Sequence, residues 1–259
     1  RNLINSALDG AEGVVRFPES RVRAGCWYNG FLDKNISNIL ISSTDLNLYD
    51  DADQVFSSPR LVQQAVWTFT NLGGQSMSIF AAAQEDLRSA DDLATTGGSL
   101  FHSLYVGGAL NGIIASNLSY NIYAVVGTGS YMYPKTDTSV LMLAQMYKAE
   151  LRYFLKGTLS PVIGATAVYS SGDDWDRADW EGSSFTADKE IATLFIPISA
   201  RKNGYVFSAA LGNLCFLEAS YSIKPIEPLQ LSFRNAAYFR AENGPMDAEV
   251  SKNSTDLFL

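Results

Sequence analysis

With 259 residues, 47% of them hydrophobic, the chain is long enough to bury a core and too apolar for disorder. A mean hydropathy of +0.00, with no run approaching the roughly eighteen apolar residues of a membrane helix, excludes a helical membrane protein. The net charge of -8 argues against a nucleic-acid-binding surface.

Alternation of apolar and polar residues predicts strands along most of the chain. A first hairpin spans residues 10–28, turning at Pro18, Glu19 and Ser20, and a polar loop follows over residues 29–60. Residues 61–70 and 76–84 form a second hairpin around Asn71, Leu72, Gly73 and Gly74, and residues 99–114 and 118–128 form a third around Ala115, Ser116 and Asn117. A fourth joins residues 140–156 to 162–169 across residues 157–161. Residues 190–197 and 205–211 are weak strand signals, whereas 214–223 and 229–240 make a strong pair around the proline-bearing turn 224–228.

The fourth hairpin carries the longest pattern. From Leu143 to Leu155 the odd positions are mostly apolar, and from Ala144 to Lys156 the even positions are mostly charged. An alternating strand of that length runs about 45 Å, well beyond the usual strand of a soluble domain. Short turns at one end alternate with long polar loops at the other, over residues 84–98, 129–138 and 170–189. Together these features predict an all-β fold, a membrane-spanning antiparallel β-barrel with long outer loops and short periplasmic turns, located in the cell outer membrane. Thirteen Tyr, fourteen Phe, four Trp and twenty Gly fit the aromatic girdles of such a barrel and equally fit a soluble β-rich protein. The alternatives are a soluble β-sandwich binding domain, in which the apolar face meets a second sheet, and an outer-membrane adhesin.

The polar face would then line a lumen carrying Glu12, Arg16, Arg21, Arg23, Lys148, Glu150, Arg152, Lys156, Glu218, Gln230, Arg234 and Arg240. Cations outnumber carboxylates on it, although the chain as a whole is acidic. Arg16, Arg21, Arg23, Lys148, Glu150, Arg152, Lys156, Arg234 and Arg240 are the expected solute contacts, because guanidinium groups on rigid strands take carboxylates in a bidentate fashion. Cross-wall ion pairing is the competing role for the same residues, Arg152 beside Glu150 above all. The expected partners are outer-membrane lipid and an anionic small solute or acidic polysaccharide, without nucleic acid, handled by a monomeric barrel.

No glycine-rich phosphate loop, HExxH, CxxC or GxSxG pattern occurs, and His102 is the only histidine. Neither a triad nor a three-ligand metal site follows, so passive transport without cofactor or metal is expected rather than enzymatic activity. The acidic runs 45–53, 85–92 and 173–181 are expected to be solvated loops, with Asp173, Asp174, Asp176 and Asp179 departing from EF-hand spacing. Cys26 and Cys215 leave the redox compartment open. The chain opens RNLINSALDG, without a basic and apolar leader or an initiating Met, as expected of a mature or excised chain.

Ser170-Ser171-Gly172-Asp173-Asp174, followed by Leu194-Phe195-Ile196-Pro197 and then Asn203-Gly204-Tyr205, resembles the alginate-export family of outer-membrane β-barrel porins. Gly212-Asn213-Leu214, the strand from Glu218 to Ile223 and the ending Tyr238-Phe239-Arg240 are similar to that family's next hairpin. The resemblance implies a large barrel whose arginine-rich lumen conducts an acidic polysaccharide. With only ten to twelve legible strands, residues 1–259 are expected to form one barrel domain that is either a smaller divergent member or lacks terminal strands.

Overall fold

A computed structural model of the chain describes residues 9–34, 55–91, 93, 99–133, 137–172, 191–198 and 212–242. Eleven strands form a single sheet. They are β1 (Asp9–Arg16), β2 (Ser20–Tyr28), β3 (Arg60–Leu72), β4 (Gln75–Asp86), β5 (Leu100–Ala115), β6 (Leu118–Tyr133), β7 (Thr138–Phe154), β8 (Val162–Ser170), β9 (Ile191–Ala192), β10 (Leu214–Ile226) and β11 (Leu229–Phe239). The order is β1-β2-β3-β4-β5-β6-β7-β8-β10-β11, antiparallel throughout, while β9 alone pairs in parallel with β7.

The hairpins follow from local chemistry. Between β3 and β4, Gly73 and Gly74 take φ values of 63° and 83°, and the Gly74 amide donates to Asn71 Oδ1 at 3.1 Å. Only glycine enters that region without a steric cost, so the turn fixes the pairing of Phe69 with Met77 and of Arg60 with Asp86 at its far end. Residues 129–138, expected to be an outer loop, instead extend β6 to Tyr133 and start β7 at Thr138. The loop expected to run through Arg60 stops short of it, for Arg60 begins β3 and is fully buried. The expected strand at 205–211, the acidic runs 45–53 and 173–181, and Asn203-Gly204-Tyr205 lie outside the described residues.

Closure is the main correction. The fold is all-β, but β1 and β11 each pair on one side only among the described residues, leaving an open sheet rather than a closed barrel. A barrel requires its first and last strands to meet, with tilt and stagger matched around the ring. The outer-membrane channel, its lipid belt, passage of an anionic solute or acidic polysaccharide through a lumen, and the monomeric porin assembly all need that closed wall and are set aside.

The two faces differ sharply. On one, Val62, Phe80, Ala82, Tyr105, Val125, Met142 and Ala144 form a core with the fully buried Phe195 and Ile198. Phe195 and Ile198 belong to a strap, residues 193–198, that leaves β9 and crosses this face over β5 and β7. Tyr105 Oη donates to the Ile196 carbonyl, and its ring meets Phe195 edge to face at 5.9 Å. The Phe195 amide donates to Ser171 O at 3.0 Å, and Thr193 Oγ1 to Gly172 O at 2.7 Å. On the opposite face Trp67, Ile79, Val106, Ile122, Leu151, Leu217 and Phe233 remain 46–68% exposed.

Candidate functional site

The strap covers only part of the inner face. Where it ends, β7, β8, β10 and β11 leave a cleft of about 530 Å³. Registered neighbours share a sheet face, so its floor can be read row by row. Lys148 lines up with Val168, Phe216 and Tyr238, and Glu150 with Thr166, Glu218 and Ala236. Arg152 lines up with Gly164, Ser220 and Arg234. In this last row two guanidinium-bearing side chains stand three strand spacings apart, about 14 Å between backbones. Between them Gly164 has no side chain, and a Cβ there would lie 2.4 Å from Ser220 Oγ. Ser222, Gln230 and Ser232 continue the polar lining, and Met146 and Leu214 close the end nearest the strap.

Glu150 organises the β7 side. Lys148 Nζ lies 3.3 Å from its carboxylate, and Arg152 Nη2 pairs with the other oxygen. Partial burial pushes the Glu150 carboxyl up, yet the charges and hydrogen bonds of Lys148 and Arg152 outweigh it and hold the group below its usual range. The carboxylate fixes both cations while leaving Arg152 60% exposed. On the other side, Arg234 is exposed and forms no ion pair among the described residues. Burial first, and the Glu218 charge second, raise the Tyr238 phenol, so it remains a neutral hydrogen-bonding group beside Phe216 at 4.9 Å.

The expected contact residues do not all meet here. Lys148, Glu150, Arg152 and Arg234 line the cleft. Arg16, Arg21 and Arg23 share its face but sit on β1 and β2, where Arg16 is registered with Arg21 and Arg23 lies 3.5 Å from Glu12. Five strand spacings separate β2 from β7, about 24 Å along the sheet. Lys156 and Arg240 lie just beyond the ends of β7 and β11. No three His, Cys, Asp or Glu side chains gather as metal ligands among the described residues, and His102 faces the side away from the cleft, its register partner being Ser130.

Sequence reasoning missed Thr166, Ser220, Ser222 and Ser232, whose signal is only their parity with Glu218 and Arg234. It also missed the buried group Arg60, Asp86 and Arg88. Arg60 Nη1 and Arg88 Nη2 each lie 2.6 Å from Asp86 Oδ2, and the Phe101 amide donates to the same oxygen at 3.1 Å. Burial raises this carboxyl, but Arg88's hydrogen bonds, the two guanidinium charges and the Phe101 amide together hold it below its usual range. Arg60 and Asp86 flank the Asn71–Gly74 turn almost symmetrically, which is the signal that could have revealed them.

No protein-family model matches the chain, and no match to it is found among curated proteins. The expected membership of the alginate-export family therefore has no support from family models, and the open sheet removes the barrel on which that resemblance rested.

Proposed function

We propose that this chain is a non-catalytic binding domain that holds a small polar ligand in the cleft of β7, β8, β10 and β11. The observation that carries this reading is the row Arg152-Gly164-Ser220-Arg234. It offers two planar donor forks over a floor whose centre is kept low, and a ligand with acceptor groups toward both ends can engage each fork. The volume falls within the range of small-molecule sites, and the strands supply rigid supports. Glu150 is tied to two cations and held ionised, which suits it to orienting Arg152 and makes it a weak proton acceptor near neutral pH.

The test is a thermal-shift screen of sugars, organic acids and nucleotides, followed by calorimetry on any compound that stabilises the protein. Arg152→Ala and Arg234→Ala should each weaken binding by roughly 10- to 100-fold, the worth of a charge-assisted hydrogen bond. Arg21→Ala, at the far edge of the sheet, should leave binding unchanged. Ligand affinity insensitive to both cleft substitutions would overturn the assignment.

A further inference from the structure

One carboxylate in the cleft stands apart from the cations around it. Glu218, half-buried on β10, lines the cleft and joins no ion pair among the described residues. Its row supplies no cation, since Thr166 and Ala236 flank it and Glu150, two strands away, is already bound to Lys148 and Arg152. Arg234 stands one strand over and one row on, a diagonal of about 8 Å between backbones. A carboxylate that has lost part of its hydration without gaining a partner is costly, and a cation arriving from outside offsets that cost. The surroundings suit a cation of one kind. Phe216 lies beside Glu218 on the same face with the Tyr238 ring 4.9 Å from it, and the Glu218 charge is felt at the Tyr238 phenol. Aromatic rings next to a carboxylate favour an ammonium group, through the ring faces as well as the ion pair.

We infer, building on the cleft as a small-molecule site, that its ligand is a zwitterion, a short chain with a carboxylate at one end and a primary ammonium at the other. The carboxylate belongs over Gly164 and Ser220, at the low centre of the row that Arg152 and Arg234 flank, with one donor fork to each oxygen. The ammonium belongs over Glu218, two residues from Ser220 along β10 and so about 7 Å away. An extended ω-amino acid of five carbons separates its charges by about 6 Å, which matches one row of the sheet. An α-amino acid carries both charges on one carbon and is too short to span two rows. The same layout disfavours other charge types. A dianion lying along β10 sets its second negative charge against Glu218, and a plain carboxylic acid leaves Glu218 without a partner.

Calorimetry of the full chain with 5-aminopentanoate, pentanoate and pentylamine tests the ligand class. The zwitterion should bind at least about 10-fold more tightly than either analogue, the worth of one charge-assisted contact. Glu218→Gln should erase its advantage over pentanoate, with strand content unchanged by circular dichroism. A zwitterion bound no more tightly than pentanoate, or one indifferent to Glu218→Gln, would overturn the inference. Glutarate bound more tightly than 5-aminopentanoate would do the same, because Glu218 would then not be reading a cation. In each of these cases, binding that still depends on Arg152 and Arg234 would leave the cleft standing as a ligand site. Affinities insensitive to both arginines would instead remove the site and the ligand class together.

Discussion

Arg60 and Asp86 stand directly opposite each other at the open ends of β3 and β4, with Nη1 2.6 Å from Oδ2 and both side chains fully buried. Burying such a pair is expensive, and removing one partner costs more than the pair contributes, because the remaining charge loses its compensation. Arg88 shares the same carboxylate, and Arg60 Nη1 also donates to Phe101 O at 3.3 Å, so this corner fixes the starts of β3 and β5 together.

Asp86→Asn should therefore destabilise the protein by about 3–5 kcal/mol, read as a drop in denaturant midpoint. The native Asp86 carboxyl is held below its unfolded value of about 3.9. Its contribution is present above that pH and is lost as pH falls through the lower folded value. Wild-type stability should decline below about pH 4, and the Asn variant should show a shallower decline. Equal acid sensitivity of the two proteins would contradict this role.

Gln84, one pleat away on the same face of β4, is 1% exposed, and neither of its side-chain polar atoms has a hydrogen-bond partner among the described residues. A buried amide in that state costs on the order of 1–3 kcal/mol. Gln84→Met, of similar length, should be neutral or raise the thermal midpoint by a few degrees. A loss of more than about 1 kcal/mol would show that the amide has a favourable polar role.

Tyr105 faces Gly127 across β5 and β6, and a Cβ on Gly127 would come within 2.6 Å of the Tyr105 ring. The missing side chain lets the ring lie over β6 and direct its hydroxyl to Ile196 O. Gly127→Val should cost roughly 1–3 kcal/mol through overpacking. Tyr105→Phe should cost about 1 kcal/mol and speed amide exchange at Phe195, leaving exchange in β1 and β2 unaltered.

Much of the sheet was legible because a period of two reports which side chains share a face. It gave the hairpins at Asn71–Gly74 and Ala115–Asn117, and it placed Arg16 and Arg152 on one side of the sheet. It carries no information on whether β1 reaches β11, since closure depends on tilt and stagger accumulated over every strand. For the same reason Arg21 and Arg234 could share a face yet lie near opposite edges. The strap was illegible for a different reason. Phe195 and Ile198 are buried through contacts with distant strands, while their own segment has little local periodicity.

The strap also imposes an order of assembly. Apart from β9, every strand pairs with its immediate predecessor in the path, so each pairing needs one connection closed, short at most turns and longer between β2 and β3 and between β8 and β10. The seat of Phe195 is different, for it draws on Tyr105 of β5, Met142 of β7 and Ser171 after β8. None of these is in place until the intervening hairpins have formed. Docking of residues 193–198 is therefore a late event, and substitutions in the strap should chiefly accelerate unfolding while leaving the refolding rate little changed.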